Sequence, residues 1–82
     1  MTYVALDTTV LNKTEYVRDG TIHVVLHVAN STYPWIEATP NDLPSQQWYE
    51  LLVTEKGNHI WANIEKREEI WTIVSFDNLN IP

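Results

Sequence analysis

The side chains able to carry chemistry are few, and their spacing argues against most reactions. His23 and His27 stand four apart, the interval that would place two imidazoles on one face of a helix. Thr21 to Ala29, however, alternates apolar and polar residues and reads as a strand. On a strand, four residues span ~13 Å, too far for one metal ion with bonds of ~2 Å. His59 follows Gly57-Asn58 and is remote in sequence from both. There is no cysteine, so thiolate ligands and disulfides are excluded. Glu68 and Glu69 are adjacent and would point to opposite faces of a strand, whereas acid-base work needs two carboxylates across one cleft. Ser31, Ser45 and Ser75 have no nucleophile-elbow context. Gly20 and Gly57 are the only glycines, and each suits a hairpin turn, leaving none for a phosphate-cradling loop. The expectation is a non-enzymatic protein with no metal site and no cofactor.

Aromatic side chains are the remaining signal. Four tryptophans, four tyrosines and one phenylalanine in 82 residues are a rich supply; one reading makes all of them packing residues, because a thin core benefits from large side chains, and the other leaves some for contact. Tyr49, Trp71 and Trp35 are assigned to packing, with Trp35 anchoring a proline-rich loop. Trp48, Trp61 and Phe76, with Leu52 and Val74, are expected to project from a second sheet face. An aromatic patch rimmed by polar groups is the usual character of a protein interface. The candidate partner-binding residues are therefore Trp61, Trp48, Phe76, Trp35, Leu52 and Val74. A flat indole also complements the C–H face of a sugar ring.

These side chains need elements to position them. In the strand at Thr21–Ala29, Ile22, Val24, Leu26 and Val28 share one face. Asp19-Gly20 before it suits a type I′ turn, which folds Glu15–Arg18 back onto Thr21–Val24. Tyr3 to Leu6 is a weaker strand, which Thr8 to Leu11 extends or follows. Residues 30–47 hold Pro34, Pro40 and Pro44 and read as a long connection, with a short edge strand near Trp35-Ile36-Glu37. From Trp48 to Phe76 the pattern predicts a three-stranded meander turning at Gly57-Asn58 and Arg67-Glu68. Both turns put Tyr49, Leu51, Val53, Ile60, Ala62, Ile64, Trp71 and Ile73 on one apolar face, at the cost of setting Glu50 opposite Glu65. A competing pattern caps a helix with Ser45 and stops it at Gly57, through Trp48, Leu51, Leu52 and Glu55. The tail alternates Leu79 and Ile81 and is expected to cover a sheet edge.

The fold class expected is all-β: one small domain, residues 1–82, an antiparallel barrel or sandwich of about five to seven strands. The alternative is α+β, with one helix near residues 45–56 on an antiparallel sheet. A chain of this length buries only about 60% of its unfolded surface. Eleven acids against five bases give a net charge of −6, which disfavours nucleic-acid phosphates and anionic lipid as partners. The N-terminus lacks a basic n-region, and no apolar run approaches the ~20 residues of a membrane span. An intracellular site is therefore expected. The function expected is a protein-binding or assembly module using the aromatic face. It would be a homo-oligomer, a small subunit of a larger assembly such as a viral particle, or an inhibitor. A carbohydrate-binding module and an acidic mimic of nucleic acid are the alternatives.

Overall fold

A computed structural model describes residues 3–80. Its elements are β1 (Tyr3–Arg18), β2 (Thr21–Val28), β3 (Trp35–Ala38), α1 (Ser45–Val53), β4 (His59–Arg67) and β5 (Ile70–Asn78). The five strands close into a barrel in the order β1-β2-β3-β5-β4. All neighbours are antiparallel except β3 and β5, which run parallel and pair only at Glu37 and Thr72. Closure at β3 and β5 rests on a single pair, and side chains of α1 bond the β5 edge beyond it.

The two amino-terminal strand candidates are one strand of 16 residues. Tyr3 to Thr9 pair with β4, Asn12 to Arg18 pair with β2, and a bulge near Leu11 turns the strand between its partners. Asp19 and Gly20 both have positive φ (51° and 76°), as a type I′ hairpin requires. β2 buries Val24, Leu26 and Val28, as its alternation predicts. The short strand near Trp35 is present as β3.

The meander is not present. Residues 45–53 coil as α1, so the α+β alternative holds for this segment and Gly57-Asn58 is a connection rather than a hairpin turn. The physical reason lies in two overlapping periods. Tyr49, Leu51 and Val53 suggest a half-buried strand, whereas Trp48, Leu51 and Leu52 form an i, i+3, i+4 stripe. Only the second set meets the core: Leu51 is fully buried, Trp48 and Leu52 pack on the core, and Tyr49 and Val53 are exposed. Pro44 ends the proline-rich connection and occupies the cap position without a side-chain cap; Ser45 is the first helical residue. At the other end, Thr54 Oγ1 donates to the Glu50 carbonyl (2.7 Å) and Lys13 Nζ donates to the Leu52 carbonyl. These satisfy carbonyls that a helix leaves open.

The β4–β5 hairpin turns at Glu68-Glu69, one residue later than Arg67-Glu68. A bulge at Asn63/Ile64 pairs Ile64 with Ile73 and Ala62 with Phe76. The core comprises Leu6, Val10, Val24, Leu26, Val28, Ile36, Leu43, Leu51, Ile60, Ile64, Ile73 and Phe76. The like-charge contact between Glu50 and Glu65 does not occur. Glu50 accepts from the Asn78 backbone N–H (3.2 Å), and Glu65 pairs with Arg67 (3.2 Å). Leu79 continues the tail by donating its N–H to the His59 carbonyl (2.9 Å), while its own side chain stays exposed; Ile81 lies outside the described residues.

Candidate functional site

The six candidate contact residues do not share one face. Phe76 points into the barrel and is 2% exposed, so it is a core residue and not a contact residue. Trp48 and Leu52 pack α1 onto the core, and Val74 is half-buried on β5. Trp61 stands on the outer face of β4, paired with Asp7 of β1 and Asp77 of β5. Trp35 is not the anchor of its loop: it is 56% exposed. Ile36 and Leu43 hold that segment instead, because β3 alternation turns Ile36 inward and Trp35 outward.

Outward, Trp35 meets residues that the sequence leaves apart. His27 lies directly across on β2, and the two rings stack with centroids 4.1 Å apart and planes 14° off parallel. Further along, Tyr16 stacks on His23 (4.6 Å, 10°). The Glu37 carboxylate joins this pair: its Oε2 accepts from the Tyr16 hydroxyl (2.7 Å) and lies 3.0 Å from His23 Nδ1. Two partners on one oxygen fix that carboxylate and leave Oε1 for a ligand. Partial burial, then the hydrogen bond to Glu37 and that carboxylate's negative charge, push the Tyr16 phenol above its ordinary pKa; Arg18 opposes the shift. The alternation at His23 and His27 predicts outward histidines. What it does not reveal is that cross-strand neighbours cover both rings.

Beside this row, where β3 meets β5, lies a groove of about 260 Å3. Val25, Pro34, Trp35, Ile70 and Trp71 form apolar walls, and Glu37 and Glu69 supply two carboxylates. Trp71 is steadied by an edge-on contact with Tyr33 (4.8 Å, 75°). Among the described residues no arginine or lysine lines the groove, although Lys66 Nζ lies 3.4 Å from Glu69 Oε2 at its rim. Glu69 comes from the hairpin turn, where Glu68 and Glu69 both have positive φ (49° and 69°). Such backbone suits Asn or Gly and costs other residues roughly 1–2 kcal/mol each. Ile70 and Glu69 were not among the sequence candidates, because their part in the groove depends on β5 lying next to β3, 33 residues earlier in the chain for Glu37 and Ile70.

Elsewhere, His59 Nε2 makes a close contact with Asp7 Oδ1 across β1 and β4, both side chains being exposed. Among the described residues, no group of three or more His, Asp or Glu is arranged to hold a metal ion. No helix among them is long and apolar enough to cross a membrane.

The strand order defines an architecture, a small five-stranded barrel with one short helix, and not an activity. No protein family, curated protein or solved structure matches the chain.

Proposed function

We propose that the protein is a non-catalytic binding module that holds a positively charged segment of a protein partner in the groove between β3 and the β4–β5 turn. The observation that supports this most is the pairing of exposed indole surface with fixed carboxylate. Trp35 and Trp71 flank Glu37 and Glu69 in one concavity. A guanidinium or ammonium over an indole gains about 0.5–2 kcal/mol, and a carboxylate beside it adds a charge-assisted hydrogen bond. The alkyl stem of Arg or Lys would cover Val25 and Ile70. At about 260 Å3 the groove falls just below the ~300–1,000 Å3 of small-molecule sites, which suits one or two side chains of a peptide. The net charge of −6 would speed the approach of a basic partner. Such a module fits a subunit or accessory of a larger assembly.

The test is binding of labelled peptides containing Arg or Lys, against acidic and neutral counterparts of the same length. Basic peptides alone should bind, more weakly at higher salt, with loss of affinity in Trp35→Ala and Glu37→Gln. Absence of binding, or binding that both variants leave unchanged, would remove the proposal.

A further inference from the structure

A second concavity lies on another side of the barrel, between α1 and the outer faces of β4 and β5. Its volume is about 440 Å3, within the ~300–1,000 Å3 range of ligand sites. Trp61 forms one wall, with 36% of its surface exposed. Gln46, Gln47, Glu50, Ser75 and Asp77 supply polar groups around it.

Two of these are held in place by the fold. The β5 edge that α1 covers carries backbone N–H groups at Phe76 and Asn78. Gln47 Oε1 accepts from Phe76 (3.0 Å) and Glu50 Oε1 accepts from Asn78 (3.2 Å). An amide that accepts from a backbone N–H must present its oxygen there, so the orientation of Gln47 is set. Its NH2 group is left as a donor and Glu50 Oε2 as an acceptor, three residues apart on one helix face. Asp77 adds a second carboxylate and Ser75 a hydroxyl. Among the described residues no cationic side chain lines the cleft, which disfavours anionic ligands. The apolar lining is the Trp61 indole with Pro44 and the nearly buried Phe76, a minority among polar groups, which disfavours a wholly apolar ligand.

We propose that this cleft binds a neutral saccharide. Sugar hydroxyls both donate and accept, and so match a fixed amide donor beside fixed carboxylate acceptors. The C–H face of the ring matches the Trp61 indole. Because the side chains are already oriented by the backbone of β5, little rotamer freedom is lost on binding.

The experiment is amide and indole chemical-shift mapping of the full chain. The probes are glucose, galactose, mannose, N-acetylglucosamine and their β-linked disaccharides at millimolar concentration. At least one sugar should move the Trp61 indole N–H and the Phe76 and Asn78 amides, leaving the Trp35 indole in place. Trp61→Ala should weaken that binding by about two- to tenfold, the range expected for one aromatic contact. Asp77→Asn, which keeps the shape of an exposed residue, should weaken it too, and reads the same site if Trp61→Ala fails to fold. No movement at these resonances with any sugar, or unchanged affinity in both variants, overturns the proposal. Either result leaves the peptide groove at Trp35 untouched.

Discussion

Glu37 shows how much one side chain depends on its cross-strand neighbours. Tyr16 and His23 stack beside it and both bond to the same carboxylate oxygen. Because the Tyr16 pKa is raised in the folded state, the native chain holds this phenolic proton more tightly than the unfolded chain does. The resulting stability is fully present below the unfolded value of about 10, and is lost as pH rises through the folded value. Tyrosinate absorbance should therefore rise at higher pH in the native protein than in Tyr16→Phe, and Glu37→Gln should narrow the gap. The interior offers a contrasting residue. Thr8 faces the core between Leu6 and Val10, and its Oγ1 is buried without a partner among the described residues. Thr8→Val keeps the shape and removes the orphaned hydroxyl, so urea unfolding should show a gain of about 1–2 kcal/mol. A loss of stability would mean that the hydroxyl is satisfied in solution.

Elements were legible where a single period governs them. The alternation of β2 and the Asp19-Gly20 turn needed only neighbours in sequence, and both stand as read. α1 was ambiguous because Leu51 belongs to a strand pattern and to a helix pattern alike, and tertiary packing decided between them. Phe76 was misplaced for a related reason. The bulge at Asn63/Ile64 shifts the β4–β5 register, and a shift of one residue exchanges the faces of a strand. Trp35 was read as the anchor of its loop, and its exposure was not legible, because its outward direction depends on which face of β3 meets the core. The β4–β5 turn was legible but placed one residue early, at Arg67-Glu68, since two glutamates occupy backbone angles that favour Asn-Gly. Residues held in such backbone cluster at functional sites. Replacing Glu68-Glu69 with Asn-Gly should raise stability by about 1–2 kcal/mol in urea unfolding and weaken binding of basic peptides. A variant that is no more stable would remove the argument from strain.

At the scale of the whole molecule, closure of the barrel creates both concavities. The parallel seam between β3 and β5 is paired at one position only. Along one part of it the Trp35–Trp71 groove opens; along another, α1 covers the strand and caps its N–H groups with Gln47 and Glu50. The groove was not readable in advance because β3 and β5, distant in sequence, form its walls, and the cleft was not because it depends on residues 45–53 coiling as α1. The central claim is that the groove, and not acidity in general, selects a cationic segment. It is tested most directly by mapping amide shifts in the full chain as an Arg- and Lys-containing peptide is titrated in at moderate salt. Saturable shifts confined to Val25, Trp35, Ile36, Glu37, Ile70 and Trp71, and absent in Trp35→Ala, are the predicted result. Shifts spread over every acidic residue, or none in the groove, would contradict it.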